Sequence, residues 1–157
     1  MASLTPRFSA DRAVREYTEQ HYLPGAAAYR ERAAGKGSMG LKIVDWQHAL
    51  DKEWPALHFG AAKVETNVGL RVFEARVYLH ELDPAAMRVA LYADGVKGGD
   101  AVRQEMERVG QLTGASKGCT YRTQVSAARP ATDYTARVIP RYAGVAVPLE
   151  SLRILWQ

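Results

Sequence analysis

A chain of 157 residues, 47% hydrophobic and 24% charged, has the composition of one folded domain, or of a small domain with an appendage, and not of a disordered segment. Its apolar runs fall far short of the ~20 residues that cross a bilayer, no basic start and apolar stretch of a secretory signal is visible, and the single cysteine, Cys119, excludes an intramolecular disulfide and a cysteine-based zinc centre. A cytoplasmic protein is therefore expected, and the net charge of +4, scattered among carboxylates without a Lys/Arg block, gives no reason to expect nucleic acid or a membrane as partner.

The first third reads as helical. Ser9 is a good N-cap, because its hydroxyl can accept from an unsatisfied amide of the first turn, and Asp11 suits the positive end of the helix. Val14, Tyr17 and Gln20-His21 recur at helical spacing, and Pro24-Gly25 stops this helix or bends it into the next. Ala26 to Ala34 forms a second, Ala-rich piece, and Gly35-Lys36-Gly37-Ser38-Met39-Gly40 reads as a flexible connector. It fails the phosphate-loop pattern, which needs Gly-Lys-Ser/Thr at a fixed distance after a first glycine, and it follows a helix instead of a strand. Ile43, Trp46, Leu50 and Trp54 then make one apolar helix face, which Pro55 ends by keeping Trp54 out of helical geometry.

After Pro55 the period falls from near 3.6 to 2. Leu57 to Val64 is a weak first strand. Leu70 to Leu79 is a strong one, with Phe73, Ala75, Val77 and Leu79 on one face and Glu74 and Arg76 opposite. Met87 to Tyr92 is a third, closed by Asp94-Gly95 and Gly98-Gly99. Val102 to Leu112 alternates throughout and, being rich in charge, reads as one edge strand. Tyr121 to Ala127, Tyr134 to Val138 and Leu152 to Trp156 complete the set. About seven short strands bounded by Gly, Pro or Asp predict a mainly β fold, an immunoglobulin-like antiparallel β-sandwich, preceded by two or three α-helices. Asp133-Tyr134-Thr135, entering a late strand, resembles the tyrosine corner of such folds. The expected division is a helical segment over 1–55 and the sandwich over 56–157.

Few residues are placed for chemistry. His21, His48, His58 and His80 show no metal spacing and have no cysteine partner, so His48 with Asp45 and Asp51 reads as a solvated helix face and His80-Glu81 as a strand end. Glu105 and Glu107, among Arg103 and Arg108, read as edge charges, and Cys119 as a small packed residue. No nucleophile-elbow pattern supports a hydrolytic triad. The aromatics beside the strands are more open, since exposed rings can stack on the C–H faces of sugars. Tyr142, Tyr92 and Tyr121 are the candidates for sugar stacking, Tyr142 first because strand alternation does not force it inward.

The run Phe8-Ser9-Ala10-Asp11-Arg12, followed by Tyr17 and the close Tyr22-Leu23-Pro24, resembles the last helix of the catalytic region of the glycogen and α-glucan phosphorylases. The continuation through Gly25-Ala26-Ala27, Trp46 and Trp54-Pro55 into a β-rich tail is similar to a bacterial and archaeal branch of that family that carries an extra C-terminal β domain. The resemblance implies a parent enzyme that cleaves α-1,4-glucan ends with phosphate to release glucose 1-phosphate, using pyridoxal phosphate held on a lysine upstream of this segment. No position here matches that lysine or the phosphate ligands, so no catalytic, cofactor-binding or metal residue is carried over, and the segment is expected to be inactive alone. It also implies that the terminal helices pack on the catalytic domains of the same parent chain. Val14, Tyr17, His21 and Tyr22 are then an interface face, which in the separate molecule would favour a homodimer. The expected role is bracing or oligomerisation of the parent. The alternative is a carbohydrate-binding module that holds α-glucan near the active site.

Overall fold

The computed structural model describes residues 9–96, 98–112 and 117–157. Phe8, which opens the family-like run, lies outside them. The chain forms two compact units, residues 1–45 and 46–157.

The first unit is helical. Helix α1, Ala10–Tyr17, is capped as expected: the Ser9 hydroxyl accepts from the Arg12 amide at 3.3 Å. A single π turn, Thr18–Tyr22, follows, and helix α2, Leu23–Glu53, continues directly. Pro24 thus neither stops the helix nor ends a segment. A proline has no amide to donate and its ring crowds the carbonyl four residues back. The wider turn just before it, closed by the Leu23 amide on the Thr18 carbonyl, is a helical way to make that room. The expected six-residue connector is shorter than the sequence suggests. Only Ala34 to Gly37 leave helical geometry, with Gly35, Lys36 and Gly37 all left-handed (φ 57, 60 and 75°). Two glycines make such a kink inexpensive, and the helix resumes at Ser38.

Among the described residues the second unit holds eight strands in two antiparallel sheets. Strands β1 (His58–Asn67), β2 (Leu70–Tyr78), β5 (Glu107–Leu112) and β6 (Gly118–Ser126) form one, in the order β1-β2-β6-β5. Strands β3 (Met87–Ala93), β4 (Val102–Glu105), β7 (Thr135–Pro140) and β8 (Leu155–Trp156) form the other, in the order β4-β3-β7-β8. The strong period-2 pattern behaves as its chemistry requires: Phe73, Ala75 and Val77 of β2 are buried, as are Val89, Leu91 and Ala93 of β3 and Ala136 and Val138 of β7. The two buried faces look at one another. Phe73 and Ala75 from the first sheet line one small space with Leu91 and Ala136 from the second, and the exposed Ala62 and Val64 of β1 border it.

Two expectations change. Val102 to Leu112 is not one edge strand. It breaks at Met106, which is 3% exposed and donates its amide to the Val89 carbonyl at 2.9 Å. Residues 102–105 pair with β3 and residues 107–112 with β6, so eight strands replace the expected seven. A buried methionine at the crossing anchors the chain as it changes sheet without interrupting the alternation that made it look continuous. The boundary at 55/56 moves to 45/46, because the last turns of α2 are tied to the sheets. Trp46 packs on Tyr142 with ring centroids 5.2 Å apart, Asp51 pairs with Arg153, and Glu53 holds His80 at 2.6 Å. Leu50, on the same face, is wholly buried.

Candidate functional site

On the sheet module, the residues expected to meet sugar sit in three different settings. Tyr121, on β6, is 5% exposed. Desolvation pushes its phenol up to about 12, and little of the residue reaches solvent. Strand alternation accounts for this: Cys119, Tyr121 and Thr123 form the inward row of β6, and Cys119 is the packed residue its setting suggested. Tyr142, in the loop after β7, is half-buried against Trp46, so one face of its ring is already used.

Tyr92 belongs to a cluster. On the outer face of the second sheet it lies beside Trp156 of β8, ring centroids 5.4 Å apart and nearly perpendicular. The Arg137 guanidinium lies 4.5 Å from the Tyr92 ring and 5.4 Å from the Trp156 ring, so the cation rests against two π faces. The Tyr92 hydroxyl donates to Asp94 at 2.8 Å, which raises its pKa. Trp156 remains 46% exposed, the open aromatic surface of the group. Register creates this arrangement: Arg137 is cross-strand partner to both Ala90 and Trp156. Tyr92 and Trp156 are legible in the sequence as strand aromatics, but Arg137 has no local signal.

A broader cleft, about 600 Å³, opens where the chain changes sheet, with Met106 and Tyr121 in its wall and Asp83, Arg88, Glu107 and Arg108 around it. Charges of both signs line it, and Arg141 meets Glu105 across 3.7 Å. Elsewhere Glu53, 7% exposed, accepts from His80 and from Lys52, and these bonds hold its carboxyl below the usual range. His80 adopts a left-handed φ of 52° to meet it. Nothing local in the sequence joins two residues 27 positions apart. Among the described residues no group of three or more His, Cys, Asp or Glu side chains is arranged to hold a metal ion.

On the helical unit, the residues expected to form an interface face solvent within this chain. Val14, Tyr17 and Tyr22 are 64%, 57% and 68% exposed. His21 is also exposed, its ring 5.9 Å from that of Tyr17. Helix α1 buries no residue at all. Leu23, Tyr29 and Leu41 extend the exposed apolar surface along α2. Among the described residues no helix is long and apolar enough to cross a membrane.

No family model matches the chain. The chain is similar to glycogen phosphorylases of Mycobacterium tuberculosis and Mycobacterium bovis, with 27% identity over 162 aligned positions that cover 96% of it. It spans only 18% of the length of those relatives. A distant relationship to a part of the glycogen phosphorylases, in carbohydrate metabolism, is what this likeness carries.

Proposed function

We propose that this chain is a non-catalytic C-terminal portion of an α-glucan phosphorylase, an enzyme that breaks α-1,4-glucans with phosphate using pyridoxal phosphate held elsewhere in the parent, and that it braces or oligomerises that cytoplasmic enzyme. The alignment carries this reading, since nearly the whole chain matches a small share of each relative. The strand orders favour an immunoglobulin-like sandwich. With β1 to β8 taken as A, B, C, C′, D, E, F and G, they read A-B-E-D against C′-C-F-G. Helix α1 buries none of its residues while Val14 and Tyr17 stay exposed, which is a reason to assign it a partner, because exposed apolar groups gathered on one face mark a contact surface.

Within this reading the catalytic domains of the parent cover Val14, Tyr17, His21 and Tyr22. The double variant Tyr17→Asp/Tyr22→Asp separates the alternatives. In the complete enzyme it lowers the melting temperature or dissociates the oligomer; in the chain alone it changes neither helix content nor melting. An unchanged complete enzyme would refute the interface.

A second reading, a carbohydrate-binding module, is favoured by the exposed Trp156 beside Tyr92. Titration with maltoheptaose, followed by tryptophan fluorescence and amide shifts, tests it. Saturable shifts confined to Trp156, Tyr92 and Tyr142 support it, and no change at millimolar oligosaccharide removes it.

A further inference from the structure

The outer face of the second sheet carries a concentration of uncompensated positive charge. Ala90 sits near its middle. Arg137 is its partner on β7 and Glu105 its partner on β4, Arg88 lies two residues back on β3, and Arg103 is paired with Tyr92. Neighbours on one sheet face stand about 5 Å apart when opposite and about 7–8 Å apart on the diagonal. Three guanidinium-bearing side chains therefore surround a residue with a single side-chain carbon. The result is a depression of about 110 Å³ lined by Arg88, Arg103, Arg137, Glu105, Ala90 and Ile139. Ala90 and Ile139 are buried beneath the longer side chains.

The charge balance is uneven. Glu105, the one carboxylate in the lining, meets Arg141 at 3.7 Å. Among the described residues no carboxylate pairs with Arg88, Arg103 or Arg137, and the Arg137 Nε is enclosed without a hydrogen-bond partner. Burial, and then the neighbouring Arg103, lower the pKa of Arg137, and Arg88 acts in the same direction. The Tyr92 and Trp156 rings keep Arg137 in place. Like charges gathered this way repel, and the repulsion falls when an anion enters.

We propose that this depression binds the phosphoryl group of a phosphorylated small molecule. Arginine presents a planar fork of donors that matches phosphate oxygens in pairs. Three such groups around one depression suit a tetrahedral oxyanion with several oxygens to share, whereas a planar carboxylate is met by one fork. The space, a few times the ~30 Å³ share of a water molecule, holds a phosphate group and not an extended chain. Free inorganic phosphate and the phosphate of an ester offer the same chemistry. The exposed Trp156 at the rim gives an ester a surface for its organic part. The inference does not depend on the relation to phosphorylases.

Amide and indole NMR shifts of the whole chain, titrated with sodium phosphate against sodium chloride at matched ionic strength, test the proposal. Saturable shifts are expected at Ala90, Tyr92, Arg103, Arg137 and the Trp156 indole. Ribose 5-phosphate distinguishes the sources: tighter binding with a larger Trp156 shift indicates an ester, and equal affinity indicates free phosphate. Removal of one charge-assisted contact by Arg103→Gln or Arg88→Gln is expected to weaken binding about tenfold. Both side chains are solvent-facing, so the fold tolerates these variants, and an unchanged spectrum elsewhere verifies that. Lys63→Gln, on the other sheet, is expected to leave affinity unchanged. Shifts that never saturate, or that persist unaltered in Arg88→Gln/Arg103→Gln, would overturn the proposal.

Discussion

Helix α1 and strand β2 are nearly the same length, eight and nine residues, and both are amphipathic, yet they end in opposite situations. In β2, Val72, Phe73, Ala75 and Val77 are buried. In α1 nothing is buried, and Val14 and Tyr17 are left in solvent. An amphipathic pattern states only that a face seeks apolar cover. For β2 the cover is in the same chain, because β3 and β7 bring a second apolar face against it. For α1 the described residues of its own helical unit supply no such cover, and in the proposed function the parent protein provides it. The contrast separates a module that carries its own core from a segment whose apolar residues, in the proposed function, are an address.

The sharpest way to break that contrast is at the core. Leu50→Ala or Leu91→Ala, at side chains 0% and 1% exposed, should cost about 2–5 kcal/mol, read by urea denaturation of the sheet signal. Next comes the left-handed kink. Gly37→Ala meets no neighbouring atom but places an alanine at φ 75°, a cost of about 1–2 kcal/mol. Helical circular dichroism should fall while the sheet transition keeps its midpoint. The pH dependence is smaller. The Glu53 carboxyl lies below its ordinary value when folded, so its contribution is present at neutral pH and lost as pH falls through that depressed value. Glu53→Gln should flatten the acid limb of a melting-temperature profile by a few degrees, and an unchanged limb would deny the His80 bond any role in stability. The smallest effect is expected at α1: Tyr17→Asp should change the stability of this chain by no more than about 0.5 kcal/mol.

Much of this was legible in the sequence. Alternation from Leu70 to Leu79 placed Phe73, Ala75, Val77 and Leu79 on the face that is buried, and Met87 to Tyr92 was readable as a strand. Ser9 marked the start of α1, and the face of Ile43, Trp46 and Leu50 marked the later part of α2. What escaped detection depends on separations that periodicity does not encode. Met106 preserves the alternation while the chain leaves one sheet for the other, so β4 and β5 read as one strand. Pro24 looks like a breaker because a local rule cannot foresee a π turn in front of it. The Arg137, Tyr92 and Trp156 cluster exists only through register between β3, β7 and β8, and the bond from Glu53 to His80 only through the end of α2 reaching the loop after β2. Tyr121 was readable in principle, since it shares the inward row of Cys119 and Thr123.

Amide hydrogen exchange of residues 10–22, compared between this chain alone and the complete phosphorylase proposed to contain it, addresses the central claim most directly. The account predicts rapid exchange across Ala10–Tyr17 in the isolated chain and protection higher by orders of magnitude in the complete enzyme, with β2, β3 and β7 protected in both. Equally rapid exchange of the helix in both proteins would contradict it.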